Sequence, residues 1–341
     1  MSQAAWRSDS DRSVLTIEDL RVTYSGRSGL FAGLFGRKAA GARAVDGVSL
    51  DIKRGQITAL AGESGCGKTT LARTIMGLEK PAGGRVLFDG EPISDLSAYR
   101  RRVQMIFQDP TGALNPRQTI YESVAEGLRI HRMHHDEERK VANALSQAGL
   151  RPPERFFLLY PHEVSGGQRQ RVVIAGALVL EPEVIIADEP VSMLDASVRG
   201  EILRLLLKLR DDLGLTILVV THDLGLAWTV ADRVTVMYLG RIVENGPAEE
   251  VLTNPRHPYT KALLAVVEDS HEGGRQVMRP ILSGEPPDPT QIPQGCRFHP
   301  RCPEVASGRA EAAGILPRCV GEDPPLMEAS RDQVAACWLN G

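Results

Sequence analysis

A glycine-rich stretch, "GESGCGKT" at 62–69, combines residue types and spacing that suit phosphate chemistry. It follows an apolar run at 56–62 and leads into the helical pattern "KTTLARTIMGL", the context that the motif G-x-x-x-x-G-K-[ST] requires. Glycines let backbone N–H groups turn inward, and a helix start adds a positive dipole end, so the loop suits an anion. The motif predicts that the following residues bind the phosphates of ATP: Gly62, Ser64, Gly65, Gly67, Lys68, Thr69 and Thr70.

An acidic pair ends the apolar run "VIIADE" at 184–189. Two adjacent carboxylates at a buried strand end are unfavourable unless a cation lies between them, and Mg²⁺ bound to ATP supplies one. We expect Asp188 to bind Mg²⁺, mainly through water, and Glu189 to act as the base that polarises the attacking water. The alternative is a solvated acidic pair at a strand terminus.

A second candidate anion site is "VSGGQRQR" at 164–171. Its serine and two glycines would expose backbone N–H groups at a helix start. Taken alone, the segment could equally be an ordinary cap and turn. Two phosphate sites that cannot both reach one γ-phosphate suggest a head-to-tail dimer.

These motifs, in this order, resemble those of the ATP-binding-cassette (ABC) ATPases. The resemblance implies that Ser165, Gly166, Gly167 and Gln168 of one chain close over the ATP held by Lys68 of a second chain. It implies further roles for residues whose types alone are weak signals. Gln108 in "IFQDP" would contact the γ-phosphate and, with Thr69 and Asp188, bind Mg²⁺. His222 in "VVTHD" would contact the γ-phosphate. Asp195 in "SMLD" would lie at the dimer seam, and Tyr24 would stack on adenine.

A narrower resemblance covers about Val14 to Trp338. "YPHEVSGGQRQR", "NPRHPYTKALL" (254–264) and "LSGEPPDP" followed by "GCRFHPRCP" are similar to ATPase subunits of oligopeptide and dipeptide importers, including relatives that import nickel. The resemblance implies an ATPase at the cytoplasmic face of the membrane that energises peptide import. Its expected partners are two transmembrane permease subunits, a second ATP-binding subunit (a paralogue or a second copy) and an extracytoplasmic substrate-binding protein. A nickel chelate or a glycoside stays open as the substrate.

The alternative function is that of a soluble ABC ATPase in translation or DNA repair. Such proteins usually fuse two cassettes or carry a long insertion, whereas this sequence has one cassette and no such insertion. A net charge of −3 gives no basic footprint for nucleic acid. The first residues, "MSQAAWRSDSDRSV", carry charges where a secretory signal is apolar, so we expect a cytosolic chain.

Four of the five cysteines lie near the end of the sequence, at Cys296, Cys302, Cys319 and Cys337. In a cytosolic chain, disulfides are disfavoured. The resemblance implies an iron–sulfur cluster, because some members of the subgroup hold one. Four thiolates suit a [4Fe-4S] cluster or a structural zinc ion, and unligated cysteines are the third possibility. The fifth, Cys66, occupies a variable position of the phosphate loop, and we interpret it as a bystander.

The elements that must position these residues follow an α/β order. Apolar or alternating runs predict strands at 14–24, 56–62, 184–188 and 216–222, and helical spacing predicts a helix at 196–213. Strand, helix and strand in succession indicate a parallel sheet. The resemblance implies a P-loop NTPase cassette with a RecA-like core, an antiparallel β edge and a helical subdomain at about 108–178.

The domain prediction is a nucleotide-binding domain at 1–250 and a C-terminal extension at 251–341. The extension is rich in Pro and Gly, so we expect it to be irregular. Residues 25–44, rich in Gly and Ala, are predicted to be a loop insertion; the alternative is that "GLFAGLFG" within it forms a small contact with the membrane surface or a partner.

Overall fold

A computed structural model describes residues 12–24, 41–269 and 288–340. These ranges contain twelve strands: β1 (Ser13–Tyr24), β2 (Ala42–Lys53), β3 (Ile57–Ala61), β4 (Gly83–Phe88), β5 (Glu91–Pro92), β6 (Val103–Ile106), β7 (Val184–Asp188), β8 (Thr216–Thr221), β9 (Arg233–Tyr238), β10 (Arg241–Pro247), β11 (Met327–Ser330) and β12 (Gln333–Ala335).

Thirteen α-helices lie in the same ranges: α1 (Lys68–Ile75), α2 (Leu96–Arg102), α3 (Pro110–Ala113), α4 (Ile120–Ile130), α5 (Glu137–Gln147), α6 (Gly166–Leu178), α7 (Ala196–Leu213), α8 (Leu224–Val230), α9 (Ala248–Thr253), α10 (Pro258–Asp269), α11 (Pro303–Ala306), α12 (Arg309–Ala312) and α13 (Leu316–Gly321). None of the helices in the described ranges combines the length and hydropathy of a membrane-spanning segment.

The chain divides into two compact units, each built from several segments. The first unit comprises Met1–Val14, Ile52–Ile57 and Phe88–Val220, and the second comprises Leu15–Asp51, Thr58–Leu87 and Thr221–Gly341. This division does not test the predicted domains at 1–250 and 251–341, which stay a prediction.

The first unit is organised around three parallel strands. β6 pairs with β7, and β7 pairs with β8, so that Ile106 lies beside Ala187 and Asp188 beside Val220. Every residue of β7 is buried, as expected for a parallel strand covered on both faces. Helices α4, α5 and α6 pack against one another in the region where a helical subdomain is predicted.

The second unit holds the phosphate loop and the C-terminal extension. β3 pairs in parallel with β9, and β10 continues the sheet antiparallel to β9. The hairpin of β11 and β12 then adds to β10, with Glu244 beside Ala335. In the same unit, β1 lies between β2 and β4. The parallel strand pairs and the antiparallel edge confirm the predicted architecture.

Two sequence-based expectations are corrected. The predicted insertion at 25–44 ends too late, because β2 already begins at Ala42; residues 25–40 lie outside the described ranges. The extension is less irregular than predicted, because α10 forms at its start and a hairpin near its end pairs with β10. The two hairpin strands are too short for periodicity to reveal, and the hairpin is ordered by pairing with a distant strand.

Candidate nucleotide-binding site

The phosphate loop joins β3 to α1 in the second unit. Gly67 is the N-cap of α1, and the first turn of that helix contains no acidic residue, so its positive dipole end is uncompensated by side chains. Ser64 and Gly65 are exposed at the crest of the loop, whereas Thr69 and Thr70 are half-buried in the first turn of α1. The predicted loop residues therefore form one continuous turn at the start of a helix.

Two glycines are required by the path of the loop. Gly62 and Gly67 have φ of +150° and +107°, in the region that favours glycine. A Cβ on Gly62 would lie 2.2 Å from the Met237 carbonyl oxygen, and one on Gly67 would lie 2.0 Å from that of Ala44. Only glycine fits at these two positions.

The loop lysine is buried against its own loop. Lys68 Nζ donates hydrogen bonds to the carbonyl oxygens of Gly62 and Glu63, at 2.7 and 2.8 Å. Its amine also lies 3.8 Å from Cys66 Sγ. Burial raises the pKa of Cys66, so this thiol is neutral at physiological pH, which agrees with its interpretation as a bystander.

The acidic pair lies at the carboxyl end of β7 in the first unit. Asp188 is the last, buried residue of the strand, and Glu189 follows with φ +46°. Positive φ in a non-glycine residue is a strained conformation that is common at functional sites. Gln108, just beyond β6, donates from Nε2 to Glu189 Oε2 at 2.9 Å. The structure thus brings Gln108 and Glu189 together, 81 positions apart in sequence.

The second anion motif also begins a helix. Ser165 is the N-cap of α6, its Oγ accepts from the Gln168 N–H at 3.2 Å, and its own N–H donates to Gln168 Oε1 at 2.9 Å. This reciprocal pair is a capping box. Gly167 is tightly placed, because a Cβ there would lie 2.7 Å from Val198 Cγ1 of α7.

The remaining predicted residues lie at element ends. Asp195 is the N-cap of α7, and its side chain makes no capping hydrogen bond. His222 is exposed directly after β8, followed by Asp223, which caps α8. Tyr24 is 42% exposed at the last position of β1, where a ring is open to stacking.

The four C-terminal cysteines line one cavity in the second unit, together with Phe298 and Trp338. All four are free thiols. Burial raises the pKa of Cys296 to about 12 and that of Cys337 to about 11, and the neighbouring cysteines add to the shift at both positions. Within the described ranges, no three His, Cys, Asp or Glu side chains stand closely enough together to hold a metal ion.

Sequence reasoning missed the contacts of Glu63. Its carboxylate pairs with Arg301 of the extension, and its backbone N–H donates to Tyr259 Oη. Position 63 is a variable position of the loop motif, so no spacing rule marks it.

Family models match both parts of the chain. Residues 45–192 match the model described as ABC transporter, and residues 243–308 match the model described as oligopeptide/dipeptide transporter, C-terminal region. The two matches contain the acidic pair and the segment of Cys296 and Cys302, respectively.

Curated relatives align over almost the whole length. The oligopeptide transport ATP-binding protein AppF of Bacillus subtilis (strain 168) is 43% identical, with 96% of this chain and 97% of the relative covered. The dipeptide transport ATP-binding protein DppF of Haemophilus influenzae is 40% identical, with 94% of each chain covered. Among solved structures, the dimeric post-hydrolysis state of the cassette MJ0796, bound to ADP and Pi, is 30% identical with a TM-score of 0.59, covering 69% of this chain and 98% of that one.

A P-loop cassette with these motifs, these relatives and this fold defines an ATPase of the ABC class. The chain belongs to the ABC transporter family and, within it, to the ATP-binding proteins of oligopeptide and dipeptide transporters.

Proposed function

We propose that this chain hydrolyses ATP to energise the import of di- or oligopeptides through membrane permease partners. One observation carries the proposal: an ABC cassette and an oligopeptide/dipeptide-type C-terminal region occur in one chain that aligns end to end with peptide-transport relatives. Two permease subunits, a second ATP-binding subunit and an extracytoplasmic substrate-binding protein are the proposed partners. The proposed location is the cytoplasmic face of the membrane.

The loop and the acidic pair have complementary proposed roles on Mg²⁺-ATP. The backbone N–H groups of the loop and Lys68 bind the phosphates. Thr69, Gln108 and Asp188 offer hydroxyl, amide and carboxylate oxygens, the hard ligands that Mg²⁺ prefers, and the bound ion supplies charge neutralisation. Because the donor set is all oxygen, it fits this ion.

Glu189 is the proposed general base. Its carboxylate takes a proton from the water that attacks the γ-phosphate, and the bond to the β,γ-bridging oxygen breaks to give ADP and phosphate. The hydrogen bond from Gln108 fixes the carboxylate, so Gln108 orients the base. His222 is proposed to contact the γ-phosphate, and Tyr24 to stack on adenine.

Two chains are proposed to act as a head-to-tail dimer. In this arrangement Ser165, Gly166 and Gly167 of one chain present the start of α6 to the ATP of the other. Gln168 supports them through the capping box, and Asp195 lies at the dimer seam.

The experiment replaces the chain in cells with a Glu189→Gln variant and measures ATPase activity and uptake of labelled di- and tetrapeptides. Loss of the base is expected to lower ATP turnover at least 100-fold, as for other general bases. Glu183→Gln is the matched control, because it makes the same change at the opposite end of β7. We expect that control to keep full turnover and uptake.

The outcomes separate the parts of the proposal. If ATPase activity and peptide uptake are both lost, the result supports both the role of Glu189 and peptide import. The preferred peptide length then narrows the range of candidate substrates. Loss of ATPase activity with undiminished peptide uptake refutes peptide import and directs the search to nickel chelates or glycosides. Unchanged turnover in the variant refutes the assignment of the base.

We also propose that Cys296, Cys302, Cys319 and Cys337 hold a [4Fe-4S] cluster. The support is their shared cavity, which four thiols line. Because these thiols do not stand closely enough together to hold a single metal ion, the proposed group is a multi-atom cluster. Bound there, the group would cross-link three segments of the extension and so stabilise it. The test is iron, sulfide and zinc analysis after anaerobic purification. Cys302→Ser should lose the metal and Cys66→Ser should keep it; zinc alone, or no metal above trace in the wild type, would overturn the cluster assignment.

A further inference from the structure

The C-terminal extension contacts the phosphate loop through hydrogen bonds to one loop residue, Glu63. Its carboxylate accepts two hydrogen bonds from the guanidinium of Arg301, at 2.8 and 3.0 Å. Its backbone N–H donates to Tyr259 Oη at 2.8 Å. Both the side chain and the main chain of one loop residue are therefore fixed by residues that lie about 200 positions or more further along the sequence.

In the Glu63–Arg301 pair, the side chain from the extension is the more deeply buried of the two. The Arg301 side chain is 6% exposed and that of Glu63 is 21% exposed. A two-point pair of this kind has a fixed geometry, unlike a mobile surface ion pair. Tyr259 is fully buried and packs with Tyr238 and Phe298, whose ring centroids lie 4.7 and 5.3 Å from its own. Arg301 Nη1 also donates to Tyr238 Oη at 3.5 Å, so both partners of Glu63 contact this aromatic cluster.

Glu63 in turn controls the loop lysine. Its carbonyl oxygen is one of two acceptors for Lys68 Nζ. A displacement of Glu63 would move that acceptor and the neighbouring N–H groups that face the phosphates. Anion binding by such a loop depends on several N–H groups pointing at one place, so small displacements weaken it.

We propose that Arg301 and Tyr259 are positioning residues for the phosphate loop, through which the C-terminal extension sets the affinity of this chain for ATP. The inference rests on the proposed role of the loop in ATP binding. Arg301 directly precedes Cys302, and Cys302 and Cys296 both line the thiol cavity. Order in the cavity and order in the loop are thereby coupled through one short segment.

The test measures the dissociation constant for ATP and the kcat of hydrolysis in the full chain carrying Arg301→Gln or Arg301→Lys. We expect Arg301→Gln to weaken ATP binding about 10-fold, a typical coupling between two sites, with a smaller change in kcat at saturating ATP. Lysine keeps the charge but not the two-point geometry, so the ATP affinity of Arg301→Lys should lie between those of the wild type and Arg301→Gln. Arg309→Gln removes an exposed ion pair to Glu304 in the same extension and should bind ATP as the wild type does.

A second variant, Tyr259→Phe, tests the positioning of the loop without changing any charge, and it keeps the inference testable if Arg301→Gln folds poorly. Tyr259→Phe removes only the hydroxyl that accepts from Glu63, and we expect a several-fold loss of ATP affinity. Tyr121→Phe, which removes a hydroxyl bonded to Glu137 in the first unit, is its control. The inference would be overturned if Arg301→Gln and Tyr259→Phe both bound ATP with wild-type affinity. It would also be overturned if only Arg301→Gln lost affinity while Arg301→Lys bound ATP as the wild type does. A wild-type chain that binds no ATP would instead refute the role of the loop.

Discussion

Gly67 shows how strongly a single position can be constrained. It combines a φ of +107° with a close approach to the Ala44 carbonyl, so a side chain there meets both backbone strain and a collision. Gly214, after α7, has φ +67° and open space around it. The two glycines therefore differ in steric surroundings while both lie in the region that L residues disfavour.

We predict that Gly67→Ala lowers the free energy of unfolding by about 3 kcal/mol and abolishes ATP binding, because the loop must move away from Ala44. Gly214→Ala should cost about 1 kcal/mol, the conformational term alone, and leave ATP binding unchanged. Chemical unfolding and equilibrium ATP binding measure both. Equal destabilisation by the two substitutions would show that the collision is relieved without cost.

Residue types and spacing predicted the loop and the acidic pair because those motifs are local. Lys68 and Thr69 are set by the turn into α1, and Asp188 by the end of a buried strand. The Glu63–Arg301 pair joins residues 238 positions apart, and an arginine in a Pro-rich tail carries no local signal for its partner. Pairs of this kind are fixed by tertiary packing, which periodicity does not encode.

Two helices of the first unit begin with the same device. Ser165 with Gln168 opens α6, and Thr119 with Glu122 opens α4, each as a reciprocal capping box. A capping box stabilises any helix that it begins, because it satisfies backbone N–H groups that have no partner within the helix. Only the box of α6 has a proposed second role at ATP.

We predict that Ser165→Ala and Thr119→Ala each lower the free energy of unfolding by about 1 kcal/mol, the usual cost of losing an N-cap. Only Ser165→Ala should lower ATP turnover, by about 100-fold, since it removes a donor from the proposed anion site. Thermal unfolding and steady-state ATPase assays at equal dimer concentration measure the two effects. Equal turnover in both variants would leave α6 with a structural role alone.

A four-residue charge network holds the amino end of β7 in the first unit. Glu183 accepts from Arg102 and, at 2.8 Å, from Arg54, and both arginines also pair with Asp89. The Arg102 hydrogen bond, followed by that of Arg54, lowers the pKa of Glu183 although partial burial opposes this. A lowered pKa means that the network stabilises the fold above the ordinary glutamate pKa and is lost as pH falls below it.

We predict that Glu183→Gln lowers the free energy of unfolding by about 1 kcal/mol at pH 7, a modest value because the side chain is 32% exposed. The difference from the wild type should shrink as pH falls below about 4. Urea unfolding at a series of pH values from 7 to 3 measures it. A difference that stays constant over this range would mean that the ionised form of Glu183 contributes nothing.

Elements were predictable where a pattern is long or repeated. The strands at 14–24 and 184–188 and the helix at 196–213 were confirmed because each carries its own pattern: alternation in the first, an unbroken apolar run in the second and helical spacing in the third. The start of β2 was missed because "GARA" has the composition of a loop. Its strand conformation comes from pairing with neighbours, which a single segment does not reveal.

At the scale of the molecule, the second unit joins the phosphate loop and the C-terminal extension in one set of contacts. Phe298 of the extension packs edge-on to Tyr238 of β9, at 5.3 Å between ring centroids, and it also lines the thiol cavity. Buried Arg297 pairs with Asp46 of β2. The extension therefore contributes to the core of this unit, although composition alone indicated an irregular tail.

We predict that Phe298→Ala lowers the free energy of unfolding by about 4 kcal/mol, because Phe298 is 1% exposed and its removal leaves a cavity among aromatic rings. Phe298→Leu, which retains most of the volume, should cost about 1 kcal/mol. If the extension and the loop unfold together, urea transitions followed by circular dichroism and by loss of ATP binding coincide in the wild type and shift together in both variants. A variant in which circular dichroism reports an early partial transition while ATP binding persists would show that the extension unfolds independently and does not support the loop.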